Sequence, residues 1–179
     1  MRLTEYLDHV ESGQTETLAD IPVPEEAAEG FVARVRAEIQ EVRTETGVSD
    51  FEVDTNLAGN IGGQYNLQTK KASINAQALL DDTQRSHILM HEGGHALADR
   101  KEDQALTDVT LIEGLNEGWT MRRSSEKNLG IYREEVQQVE RFATETFGSV
   151  TRVLEMYEQG EHAELQAAWD GMSEPGFTR

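Results

Sequence analysis

His87-Ile88-Leu89-Met90-His91-Glu92-Gly93-Gly94-His95-Ala96-Leu97 is the most informative stretch of this 179-residue chain. It sits inside a pattern of apolar residues with helical spacing and contains the sequence H-E-x-x-H. On a helix, His91 and His95 lie one turn apart on the same face, so their imidazoles can reach one zinc ion, at about 2.0–2.1 Å each. Glu92, next to the first ligand, is placed to hold a water on such an ion and to act as general base. The competing interpretation is a surface helix with two solvated histidines.

Three features of the surrounding sequence favour the metal. Ile88, Leu89, Ala96 and Leu97 make the other side of the helix apolar, as expected of a buried helix with one polar face. Gly93 and Gly94 stand between the two ligands, where each costs about 1 kcal/mol relative to alanine. Close approach of another backbone or of a substrate would account for them. A third ligand is available downstream in Leu111-Ile112-Glu113-Gly114-Leu115-Asn116-Glu117-Gly118-Trp119-Thr120. Glu113 and Glu117 share a helix face. One can serve as ligand and the other as acceptor for a ligand imidazole N–H.

Outward from this centre the chain divides into three parts. Residues 1–50 form an N-terminal helical extension, with a short amphipathic piece at Leu3, Tyr6, Leu7 and Val10. An Ile21-Pro22-Val23-Pro24 connector follows, and then a helix from Glu25 to about Thr46. Residues 51–76 carry up to three short strands, Phe51 to Asp54, Gln64 to Leu67 and Ala72 to Ala76, the last two forming a hairpin. Residues 77–171 are helical: Ala76 to Leu80, Gln84 to Arg100, Asp108 to Ser125, Tyr132 to Gln159 with a break at Gly148, and Glu161 to Gly171. Helix, small sheet and helical half predict a single α+β domain.

The motif and the downstream glutamates resemble gluzincin-type zincins, in particular the small single-domain minigluzincins. There H-E-x-x-H is followed by a helix with a Leu-x-Glu-Gly-Leu-x-Glu signature, here Leu111 to Glu117. The resemblance implies a zincin-like fold over roughly Phe51 to Gly160, with Glu113 as third zinc ligand and Glu117 in support. A second alignment, one turn along, matches Leu115-Asn116-Glu117-Gly118-Trp119-Thr120 to the Asn-Glu-Gly segment of larger aminopeptidase-like gluzincins and makes Glu117 the ligand. In this family a short sheet lies above the metal helix and its edge strand pairs with extended substrate, a role open to Gln64–Leu67 or Ala72–Ala76. The implied activity is zinc-dependent hydrolysis of a peptide or protein substrate. Tyr132 and Tyr65 are the candidates to steady the tetrahedral oxyanion, Tyr132 being the better placed.

Other zinc classes fail on particular positions. A metzincin needs glycine at Ala98 and histidine at Lys101. Asp99, Asp103 and Asp108 sit in no fitting motif, and the absence of cysteine argues against a structural zinc tetrahedron. His87 is two turns from His95, about 12 Å along the axis, too far for all three histidines to share an ion, and reads as a helix-face residue. His9 and His162 stand in polar surroundings with no assigned role. The stripe Val136, Val139, Phe142, Ala143, Phe147, Val150, Val153, Leu154 and Tyr157 reads as core packing; a dimer seam would look the same, so oligomeric state stays open.

Charge narrows the partners. Thirty-four acids against 16 bases give a formal charge of −18, which disfavours nucleic acid and anionic membranes. No apolar run approaches the roughly 18 residues of a membrane span, and the expected address is cytoplasmic. Only Lys70, Lys71, Lys101 and Lys127 are lysines, against 12 arginines. Two readings compete: a GC-rich genome would raise arginine over lysine, whereas a salt-adapted cytoplasm would also favour a surface of carboxylates whose mutual repulsion salt screens, and the salt-adapted reading is slightly preferred. Two further functions remain compatible with the sequence: a zincin-fold regulator or pseudo-enzyme that binds or cleaves one dedicated partner, and an acidic helical interaction module without metal.

Overall fold

The computed structural model describes residues 1–18, 21–23, 28–58, 61–100, 106–124 and 132–172. Among these are seven α-helices and three strands, an α+β arrangement in the expected order. The expected helix start at Glu25, the Pro24 end of the connector, the positions Lys101 and Asp103, and the helix end at Ser125 lie outside the described residues. The described residues form two compact units, one from those of Met1–Ala96 with Ser124 and one from those of Leu97–Arg123 and 132–172.

In the first unit, α1 (Leu3–Ser12) buries Leu3, Tyr6, Leu7 and Val10 and ends at Gly13, whose φ of 72° closes the helix in the left-handed region. The Tyr6 hydroxyl donates to Pro22 O at 2.7 Å, tying the connector to α1. Helix α2 (Ala28–Thr46) supplies Phe31, Val32, Val35, Ile39 and Val42 to the same core. Strands β1 (Glu52–Asp54), β2 (Gly63–Asn66) and β3 (Lys71–Asn75) form a sheet in the order β1-β3-β2. The hairpin pairs β2 with β3 antiparallel, Tyr65 opposite Ala72, and Asn66 Oδ1 caps its turn by accepting from the amides of Gln68 and Thr69. β1 runs parallel to β3, Val53 opposite Ile74. On its other side β1 is bridged by Arg2, and β2 is left as an edge.

The segment after β3 is shorter than the expected helix from Ala76 to Leu80. Asn75 Oδ1 accepts from the Gln77 amide, which holds the chain in a turn, and only Ala78–Leu80 winds into a 3₁₀ turn. Helix α3 (Arg85–Arg100) then follows, and it belongs to the first unit through Ala96.

The second unit contains α4 (Val109–Arg123), α5 (Arg133–Phe142), α6 (Val150–Gln159) and α7 (His162–Asp170). Leu111, Leu115 and Trp119 form a buried stripe along α4, and Val136, Val139 and Phe142 form one along α5. The expected break at Gly148 is present, with φ at 70°, and the turn before it, Ala143–Phe147, is π-helical. Phe142 meets both Phe147 and Trp169 edge to face, with ring centroids 5.6 and 5.1 Å apart. No described helix is long and apolar enough to cross a membrane.

Candidate metal centre

The helix that carries the histidines is started and anchored by specific groups. Asp81 Oδ1 accepts from the Thr83 hydroxyl at 2.6 Å and from the Thr83 amide at 2.9 Å, which caps the approach to α3. The Thr83 hydroxyl, and then its amide, hold the Asp81 carboxyl below its ordinary value. Arg85, fully enclosed, places Nε and Nη2 on the Glu38 carboxylate of α2 at 2.7 and 2.9 Å. Its Nη1 donates to Leu79 O at 3.0 Å. This fork fixes the first turn of α3 against α2 and lies 5.3 Å from the centre of the Phe31 ring. Two turns on, a Cβ on Gly93 would stand 2.7 Å from Val42 Cγ1 and 3.0 Å from Thr46 Cγ2. The glycine cost read from the sequence is therefore met, at Gly93, by close packing against α2.

So held, α3 brings His91 and His95 together. Their Nε2 atoms are 3.1 Å apart and their rings meet edge to face with centroids at 4.8 Å. Two nitrogens on a tetrahedral ion at about 2.0–2.1 Å stand about 3.3 Å from each other, so the pair fits a shared zinc with little adjustment. His91 is buried and His95 half-buried. His87 is buried as well, its ring stacked on that of His91 at 6.5 Å. The sequence alone predicts a helix-face residue at this position, and the structure encloses it. Its four-residue spacing from His91, equal to that of the motif pair, was the available signal.

Glu92 is also buried, 7% exposed, and it faces the sheet. A Cβ on Gly63, the first residue of edge strand β2, would stand 2.8 Å from Glu92 Cγ. The Glu92 side chain therefore packs against the face of edge strand β2 at Gly63. Tyr65, further along β2, is half-buried.

The second unit presents the two carboxylates on α4. Glu117 is buried, Glu113 half-buried, and Asn116, on the same helix face, is fully enclosed. Tyr157 of α6 reaches this face and donates its hydroxyl to Asn116 Oδ1 at 3.2 Å. Burial, and secondly the Glu113 charge, push the Tyr157 phenol well up from its ordinary value. His162, which sequence reasoning left without a role, is buried with Nε2 3.0 Å from Tyr157 O. In the sequence Tyr157 shows only as part of an apolar stripe. Tyr132 immediately precedes α5 and is half-buried.

Side chains of a type that could offer a ligand atom to a metal are His87, His91 and His95 on α3 and, in the second unit, Glu113 and Glu117 on α4. Imidazole nitrogen and carboxylate oxygen are the donors zinc takes in sites that keep an open position. Comparison of the chain with protein-family models, with curated proteins and with solved structures gives no match.

Proposed function

We propose that this chain is a zinc-dependent metallopeptidase with a zincin-like fold, of the gluzincin type, acting on a peptide or protein substrate. The observation that carries the proposal is the 3.1 Å approach of His91 Nε2 to His95 Nε2, with Glu92 next in sequence and its side chain packed against β2 at Gly63. In this reading His91 and His95 hold zinc, Glu113 is the third ligand, and Glu117 supports a ligand imidazole by accepting from the ring N–H that does not face the ion. Bound zinc would polarise the scissile carbonyl and lower the pKa of a coordinated water toward about 7.

The chain's own residues do the rest. The exposed edge of β2 offers backbone donors and acceptors to an extended substrate, which sets the scissile bond over α3. Glu92 takes the proton of the attacking water on its carboxylate and returns it to the nitrogen of the leaving amine. Tyr132 is the candidate to donate to the developing oxyanion.

The test is elemental analysis of protein purified without added metal and kept in molar KCl, with His91→Ala alongside. About one zinc per wild-type chain, lost in the variant, is the expected result. Glu92→Gln should keep the metal and lose hydrolysis of the substrate. A folded wild-type chain that holds no zinc and refuses added zinc overturns the proposal.

A further inference from the structure

We infer that Tyr157 and Asn116 are positioning residues for the Glu113 carboxylate, an inference that rests on the metallopeptidase reading of Glu113 as a zinc ligand. Glu113, Asn116 and Glu117 occupy i, i+3 and i+4 positions on α4 and share one face. Between the two acids stands a carboxamide with no exposure to solvent. An apolar side chain of similar size would fill that space without the cost of burying an amide, so the polar group calls for a polar purpose.

The Tyr157 hydroxyl shows how the amide is turned. It reaches across from α6 and donates to Asn116 Oδ1 at 3.2 Å, which commits the oxygen of the carboxamide to the tyrosine. The Nδ2 hydrogens are on the opposite branch of the amide. They are donors only, and a carboxylate one turn earlier on the same face is the acceptor that suits them. The tyrosine is itself held, since it is 1% exposed and its backbone carbonyl lies 3.0 Å from His162 Nε2.

The consequence is a carboxylate presented in one orientation before metal arrives. A ligand that need not be ordered on binding gives a tighter site, and loss of such outer partners typically weakens metal affinity 10–100-fold.

The experiment measures zinc affinity of the full chain in molar KCl by competition with a chromogenic chelator. It compares wild type, Tyr157→Phe, Asn116→Ala and the double variant, with circular dichroism to verify folding. Tyr157→Phe removes one oxygen from a packed ring and leaves the helix seam filled. Each single change should weaken zinc about 10–100-fold, and the double variant should be little worse than either, because the two act as one unit. The absorption spectrum of the cobalt-loaded protein should shift in Tyr157→Phe, a change that a purely structural role does not produce. Wild-type affinity and an unaltered cobalt spectrum in folded Tyr157→Phe, or in folded Asn116→Ala, overturn the inference and leave the metallopeptidase reading standing. Failure of the wild type to bind zinc removes that reading and the inference with it.

Discussion

Gly63 of β2 lies against Glu92 of α3 so closely that an added methyl group would stand 2.8 Å from the glutamate Cγ, and 2.9 Å from the backbone oxygen of Ser73. The strand carbonyl cannot swing aside, and Glu92 would be forced to a new rotamer. Gly63→Ala should therefore cost about 1–3 kcal/mol, the usual range for overpacking. A Cβ added to its neighbour Gly62 would stand 2.5 Å from the Ile88 Cδ1 methyl, the far end of a flexible side chain, so Gly62→Ala should cost less. Denaturant unfolding of both variants in molar KCl checks the order. Equal stability of Gly63→Ala and wild type would show that strand and helix are not packed as described.

Glu113-Gly114 and Glu117-Gly118 look like repeats of one another along α4, yet the two glycines have different surroundings. A Cβ on Gly114 would stand 2.5 Å from Glu135 O and 2.6 Å from Val139 Cγ2, both on α5. A Cβ on Gly118 would meet Leu154 at 3.4 Å, an ordinary contact. Gly114→Ala should push α4 and α5 apart and destabilise by about 1–3 kcal/mol, even after the better helix propensity of alanine is counted. Gly118→Ala should be neutral or stabilise by up to about 1 kcal/mol. Melting temperatures of the two variants, measured side by side, decide the matter.

Such differences mark what the sequence could and could not convey. Local patterns were legible. The alternation around Ile74, the hairpin that joins the last two strands and the three-and-four spacing from Phe31 to Val42 each determine structure within a few residues. The histidine pair was legible for the same reason, since one helical turn fixes it. What the sequence did not convey depends on residues distant in the chain. Nothing in Phe51–Asp54 says that it pairs in parallel with β3, and nothing near Arg85 points to Glu38, 47 residues away. Tyr157 fits an apolar stripe equally well whether its hydroxyl is idle or bound to Asn116, 41 residues earlier. The π-helical turn at Ala143–Phe147 left only Gly148 as its trace in the sequence.

The alkaline limb of the stability curve should report on Tyr6. Burial pushes its phenol from the ordinary value of 10.0 up to about 12, with the hydroxyl donating to Pro22 O. A folded pKa above the unfolded one means that this tyrosine contributes stability fully below pH 10. The contribution is lost as pH rises through about 12, because the unfolded chain releases the proton first. Tyr6→Phe removes the hydrogen bond and should cost about 1 kcal/mol at neutral pH. The gap between wild type and variant should close between pH 10 and 12. Thermal melts of the two proteins across that range provide the measurement, and a gap that stays constant would contradict the assignment.

Glu113 and Glu117 can be separated by their effects on metal. If Glu113 is the ligand, Glu113→Gln replaces a charged donor with a neutral amide and should weaken zinc by more than about 100-fold. Glu117→Gln, acting only through an imidazole, should weaken it about 10–100-fold. The two residues differ in environment, Glu117 being buried and Glu113 half-buried, so each variant also needs a denaturant curve taken with chelator present. A loss of affinity without a loss of metal-free stability identifies a group that acts on the ion. If Glu117→Gln has the larger effect, the ligand role moves one turn along α4 and the positioning role inferred for Asn116 and Tyr157 loses its object. If neither variant changes zinc affinity, the carboxylate donor does not come from α4 at all, and the gluzincin reading fails at its third ligand.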